Sequence, residues 1–153
     1  MTSAQAEWLL MVDGAARGNP GKAGCGAAIC DENGVTVKEL SRYLGKTTNN
    51  VAEYEALLMG LEAVIALGKK NIRVQSDSEL MVRQLNGQYR VRDAKLQLLF
   101  ERAQDLLRQF DRCTILHVRR EANQLADKLA NRGIDDACKK KSRGLKWIKR
   151  SPL

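Results

Sequence analysis

Histidine is almost missing from this chain, and a large class of sites goes with it. The single copy is His117, and the four cysteines, Cys25, Cys30, Cys113 and Cys138, show no CxxC spacing. A zinc centre is therefore not expected, and reduced, mostly buried thiols are the ordinary reading. No apolar run reaches the roughly 18 residues that a membrane span needs, and "MTSAQAEWLLMVDG" lacks the basic region and cleavage site of a secretory signal. The expectation is a cytoplasmic protein with no membrane partner. A nucleoside-triphosphate cradle is also excluded. Gly21-Lys22 is followed by Ala23, and no glycine stands five residues before Gly21.

What is present is one domain's worth of chain with an uneven charge. The 153 residues are 44% hydrophobic, enough for one sizeable core. The formal net charge is +8, and Lys139, Lys140, Lys141, Arg143, Lys146, Lys149 and Arg150 supply most of it without an intervening acid. The organisation expected is a folded domain over residues 1–136 and a basic tail over 137–153. Such a tail is either a solvated terminus or an electrostatic arm for a polyanion, with Trp147 able to stack on a base.

Hydrophobic periodicity orders the rest. "EWLLMVD" (7–13) has the length of a buried strand, followed by a Gly/Asn/Pro turn; "CGAAIC" and "VTVKELSRYL" are two more strands across the hairpin signal Asn33-Gly34. Val51, Tyr54, Leu57, Leu58, Leu61, Val64 and Ile65 then repeat at three and four residues, with Gly68 as the stop. A strand (71–77), a short helix closed by Gly87, a longer amphipathic helix (94–110), a strand (113–120) and a last helix (123–133) complete an α/β pattern.

Four acids fall where such a sheet presents its ligands. Asp13 and Asp77 sit at the carboxyl ends of the first and fourth strands, Glu53 in the first turn of the first helix, and Asp127 inside the last. If those strands are neighbours, Asp13 and Asp77 lie roughly 5 Å apart. Each has an ordinary explanation: Glu53 three residues after Asn50 suits a capping pair, Asp77 is a bystander if Ser76 and Glu79, three residues apart, form a capping box, Asp13 suits a turn, and Asp127 a solvated helix face. Together they would repel and raise one another's pKa unless a cation joined them. Oxygen ligands without histidine or cysteine suit Mg²⁺ or Mn²⁺ beside a phosphate, and thus phosphodiester chemistry. The glycines at 14, 18 and 21 either let backbone approach a bulky ligand or satisfy positive φ.

The ordered segments "VDGAARGNPG", "TTNNVAEYEAL", "VQSDSELMV" and "REANQLADKLAN", spanning residues 9 to about 133, resemble the signature of the type 1 ribonuclease H family. The resemblance implies a ribonuclease H-like fold: a five-stranded mixed sheet, three antiparallel strands then two parallel, flanked by helices on both faces. It implies a monomeric endonuclease hydrolysing the RNA strand of RNA/DNA hybrids with two Mg²⁺ ions, Mn²⁺ as a substitute, leaving 5′-phosphate and 3′-hydroxyl ends. Asp13, Glu53, Asp77 and Asp127 match the family's metal-binding carboxylates. Asp13 would bridge the ions, Glu53 and Asp77 would complete the site of the water-activating one, and Asp127 would help hold the second. Gly14, Asn19, Thr48, Asn49 and Asn50 match substrate-contacting positions, amides and hydroxyls suiting the wide minor groove of an A-like duplex.

Three departures stand out. "HVRREAN" is too short for the loop histidine of bacterial relatives, so Arg119 or Arg120 is the candidate for contacts to the scissile phosphate or for product departure. Glu79 replaces a frequent glutamine and would alter substrate affinity or metal preference. The basic handle is absent, only "QYRVRD" joining the helices, and no separate hybrid-binding domain is expected before Trp8. Alternatives on the same fold are a noncatalytic nucleic-acid-binding module and a different nuclease or strand-transfer enzyme. If the basic tail compensates for the handle, deleting residues 137–153 will weaken hybrid binding and flatten its salt dependence by up to about one unit of slope per lost phosphate contact. Filter binding at several salt concentrations checks this, and identical affinities and slopes would refute it.

Overall fold

Alternation along the first apolar run sends Leu10 and Val12 to one face of a strand and Leu9, Met11 and Asp13 to the other. In the computed structural model, which describes residues 6–150 and side chains as far as residue 140, this strand is β1 (Trp8–Gly18). It is followed by β2 (Gly21–Cys30), β3 (Thr36–Thr47), α1 (Asn49–Ala66), β4 (Asn71–Ser76), α2 (Glu79–Leu85), α3 (Ala94–Leu107), β5 (Arg112–His117) and α4 (Gln124–Arg150). The sheet order is β3-β2-β1-β4-β5. β1 runs antiparallel to β2, and β2 to β3, whereas β4 lies parallel to β1 and to β5. The mixed sheet expected from the sequence is therefore the one observed, with first and fourth strands adjacent.

β1 outruns its apolar segment. Pairing with β2 continues from Asp13↔Gly26 to Gly18↔Gly21, because the small residues after Asp13 still complete the ladder. Asp13 is thus not at the end of its strand. It sits one residue past the last parallel pair with β4, Val12↔Ser76. The β2–β3 hairpin is a loop through Asp31–Val35 rather than a two-residue turn, with Asp31 Oδ1 accepting from the amides of Asn33 at 2.9 Å and Val35 at 3.0 Å.

Helices cover both faces. On one, Leu10, Val12, Ala27, Ile29, Ile72 and Val74 meet Tyr54, Leu57, Leu61 and Val64 of α1, with Leu99 and Ala103 of α3 outside them. Each fully buried leucine there contributes about 1.5–3 kcal/mol. Inside this layer the Tyr54 hydroxyl donates to Gln84 Oε1 of α2 at 2.6 Å, both side chains buried. On the other face α4 buries Ala126, Leu129, Ala130 and Ile134 against β2 and its neighbours.

The helix ends correct several expectations. Thr48, not Asn50, caps α1, accepting from Val51 N at 3.3 Å, so Glu53 lies in the second turn. Ser78 caps α2, accepting from Met81 N at 3.3 Å, so Ser76 and Glu79 form no capping box. Gly68 does end α1, at φ +76 with its amide on Ile65 O at 2.9 Å. α4 passes straight through the expected stop at Gly133, because that glycine serves close approach: a Cβ there would lie 2.6 Å from Arg42 O. The helix continues to Arg150, across the expected tail boundary. The side chains of Arg143, Lys146, Trp147, Lys149 and Arg150 lie outside the described residues. All four cysteines are free, Cys25 and Cys30 buried. Among the described residues no helix is long and apolar enough to cross a membrane.

Gly26 carries a clear test of how α4 is seated. A Cβ there would come within 2.4 Å of Ala130 N and 2.5 Å of Ala126 O. Gly26→Ala should therefore cost about 1–3 kcal/mol or more and lower Tm by several degrees, measured by calorimetry. An unchanged Tm would refute this packing.

Candidate functional site

The site is assembled around Asp13, which is 4% exposed. Its neighbour Gly14 leaves room for α1: a Cβ there would stand 2.2 Å from Ala52 C and 2.3 Å from Glu53 N. α1 therefore starts directly against β1, and the Gly14 amide donates to the Glu53 carboxylate. Asp77 follows immediately after β4, where the chain turns toward α2. One carboxylate oxygen from each of Asp13, Glu53 and Asp77 lies within 4.8 Å of the others.

Asp127 approaches from the opposite face. It is inside the last helix, as expected, in the first turn of α4, which begins at Gln124. Its carboxyl hydrogen-bonds Asp13 but stands outside the three-residue group. The missing Cβ of Gly26, the cross-strand partner of Asp13, lets this turn come so close. Asn123, in the 3-10 turn Arg120–Asn123, anchors it by donating to Val12 O at 2.8 Å.

Crowding and burial dominate the electrostatics. Asp13 is held well above the usual carboxylate range, first by burial, then by the charges of Glu53 and Asp77, then by hydrogen bonds with Asp127 and Asp77. Glu53 is raised by burial and by the charge of Asp77, an effect that the Gly14 amide opposes. Glu53 Oε2 is buried with no hydrogen-bond partner among the described residues. The nearest ion pair brings little relief: Arg120 Nε lies 4.0 Å from Asp77 Oδ2 on an 81% exposed side chain. An orphaned anionic oxygen among hard oxygen donors is the environment a divalent cation such as Mg²⁺ or Mn²⁺ satisfies, so the residues present fit such ions.

The other residues singled out in the sequence divide by place. Asn19, Thr48 and Asn50 border one open groove of about 400 Å³, together with Asp93 and Lys95 at the start of α3. Asn19 Oδ1 accepts from Asn49 N at 3.1 Å, and Asn49 Oδ1 from Ala16 N at 3.0 Å, so these two asparagines also lace α1 to β1. Gly14 is buried beneath α1. Glu79 is exposed and paired with Arg83 at 2.9 Å. His117 is exposed at the end of β5, opposite Ser76. Two residues not singled out, Asn123 and Asn131, both have hydrogen bonds that bear on the site. Their signal was available: each lies one helical turn from Asp127 in sequence.

Residues 11–133 match a family model described as reverse transcriptase-like. The chain is 43% identical over 125 residues to the ribonuclease HI of Halobacterium salinarum, covering 82% of this chain and 63% of that protein. It is 41% identical over 130 residues to the bifunctional protein Rv2228c of Mycobacterium tuberculosis, covering 84% of this chain and 36% of that one. The chain thus spans less than two thirds of the length of these curated relatives. Among solved structures, the crystal structure of LC11-RNase H1 in complex with RNA/DNA hybrid superimposes with a TM-score of 0.81 at 43% identity, covering 86% of this chain and 99% of that one.

The raised carboxyl groups make stability depend on pH with a definite sign. Between its ordinary pKa and its raised one, such a group binds more protons folded than unfolded, so stability falls as pH rises. Metal-free protein should lose thermal stability as pH climbs from about 4.5 through about 8. Asp13→Asn should flatten that decline, and added Mg²⁺ or Mn²⁺ should restore stability at the alkaline end. Calorimetric scans with and without chelator check this; a metal-free Tm that rises with pH would contradict the site's electrostatics.

Proposed function

The chain belongs to the ribonuclease HI (type 1 ribonuclease H) family, and on that premise we propose that it is an endoribonuclease hydrolysing the RNA strand of RNA/DNA hybrids. The observation that carries the reading is the convergence of Asp13, Glu53 and Asp77 within 4.8 Å, with Glu53 Oε2 buried and unsatisfied. Such a set has no economical use as a structural core, since burial and mutual repulsion destabilise the charged forms. The match to a protein solved with an RNA/DNA hybrid supports the choice of substrate.

In this reading Asp13, Glu53, Asp77 and Asp127 hold two Mg²⁺ ions, with Mn²⁺ as a substitute. When bound, the ions supply a water nucleophile at neutral pH and charge compensation at the leaving oxygen. The chain's own residues do the rest. Asp13, rigid in the sheet, fixes the centre, and Glu53 and Asp77 close it from α1 and the end of β4. The groove bordered by Asn19, Thr48 and Asn50 offers amide and hydroxyl groups to the minor groove and backbone of the hybrid, with Gly14 and Asn49 supporting that edge. Arg120, exposed beside Asp77, is positioned to meet the scissile phosphate or the departing product. Glu79, exposed two residues beyond Asp77 and paired with Arg83, tunes affinity for the anionic substrate. Hydrolysis breaks the P–O3′ bond, leaves the phosphate on the 5′ end of one product, and passes a proton to the 3′ oxygen of the other.

The decisive assay uses matched 5′-labelled RNA/DNA, RNA/RNA, DNA/DNA and single-stranded substrates, with and without Mg²⁺. Cleavage should be confined to the RNA of the hybrid, require the metal, and fall below detection in Asp13→Asn. Arg120→Ala should lower turnover by about threefold or more. Binding of the hybrid without cleavage under Mg²⁺ or Mn²⁺ would instead establish a noncatalytic module.

A further inference from the structure

Asp127 is the least constrained of the four carboxylates. It is half-buried, in the first turn of a helix, and apart from the cluster that the other three make. Left to itself, such a side chain samples several rotamers and binds a cation at an entropic cost. Here it is not left to itself. Asn131, one turn further along α4, donates through Nδ2 to Asp127 O at 3.0 Å and to Asp127 Oδ1 at 3.3 Å. The carbonyl end of the same amide accepts from Arg17 Nη2 at 3.3 Å. Arg17 in turn pairs with Asp135 Oδ1 at 2.8 Å.

We propose that Arg17 and Asn131 form a positioning relay that orients the Asp127 carboxylate toward Asp13 for metal binding, an inference that rests on the nuclease reading above. The register supports it. Asp13 and Arg17 are four residues apart on one face of β1, about 13 Å along an extended strand. Asp127, Asn131 and Asp135 recur every four residues on α4, and span about 12 Å from first to last. Strand and helix are thus laced at matching heights, Asp127 opposite Asp13 and Asp135 opposite Arg17. An amide has two nearly isosteric ends, and the neighbours decide which faces where. The guanidinium, which can only donate, bonds the carbonyl end, and this leaves the NH₂ toward Asp127. Without Arg17 the amide keeps only its own bonds to Asp127 O and Oδ1, and its orientation is held less firmly. Because Asp135 offsets the charge of Arg17, the relay transmits orientation rather than positive potential.

The test compares the full chain with Asn131→Ala, Arg17→Ala and the double variant. Mn²⁺ binding to substrate-free protein is measured by calorimetry, and Mg²⁺ dependence and KM for the hybrid are measured kinetically. Asn131→Ala should weaken the weaker Mn²⁺ binding event by about 10-fold and raise the half-saturating Mg²⁺ concentration by a similar factor, as outer partners of metal ligands do. KM for the hybrid at saturating Mg²⁺ should stay within about twofold. Arg17→Ala should shift the same quantities less, and the double variant should be no worse than Asn131→Ala alone, since the two act in series. A raised KM with unchanged Mn²⁺ binding would make Arg17 a direct substrate contact and overturn the relay. A lower Tm with both metal readouts unmoved would reduce it to a structural brace. Wild-type protein that neither binds Mn²⁺ nor cleaves hybrid would sink the nuclease reading itself, whereas an active wild type with unaffected variants sinks only the relay.

Discussion

Two missing Cβ atoms decide the geometry of this protein's chemistry. Gly14 on one face of the sheet and Gly26 on the other flank Asp13, the first as its chain neighbour and the second as its cross-strand partner. At Gly14 the backbone of α1 comes so near that a methyl group would overlap Glu53 N, and at Gly26 the same holds for the backbone of α4 around Ala126 and Ala130. A helix normally keeps its distance from a sheet because side chains separate them. Here the separation is removed at one strand position on each side, and a carboxylate from each helix reaches the same aspartate.

That convergence is costly, and the cost is informative. Burial and mutual repulsion raise the affinity of Asp13 and Glu53 for protons. The surrounding scaffold holds the acids against this tension through contacts remote from the charges. Tyr54 is pinned to Gln84, Asn123 to Val12 O, and Gln75 to Ala122 O. Each of these ties a helix or turn to an element that carries or borders an acid. The site is therefore preorganised for cations by backbone packing and neutral hydrogen bonds, with few positive side chains in attendance. On the nuclease reading, a phosphate backbone brought here would meet an acidic pocket until divalent ions intervened, which would make metal loading and substrate engagement parts of one electrostatic event.

Much of this was legible in the chain. Asp13 ends an apolar run, Asp77 ends another, and Glu53 lies near the start of a periodic apolar helix, so the three carboxylates were recoverable from period and position. A mixed sheet followed from three early strands and two later ones separated by helices, whereas the strand order, with the fourth strand beside the first, came only from the fold. Other features were not legible. The helix caps at Thr48 and Ser78 compete with equally plausible neighbours, Asn50 and Ser76, and only tertiary placement selects between them. The extension of β1 beyond Asp13 was hidden because glycine and alanine advertise a turn in sequence while serving a ladder in the fold. Gly133 reads as a helix stop for the same reason, yet it lets α4 pass the backbone of Arg42.

The chain by itself determined the kinds of chemistry available: oxygen ligands without histidine or thiolate pairs, an α/β order of elements, and the four acids worth watching. That follows because ligand type and periodicity are local properties. Only the tertiary structure decided which acids share a pocket, that Asp127 approaches from the opposite face, and that Arg17 and Asn131 stand behind it. These are distances between residues far apart in sequence, and backbone packing across the sheet sets them.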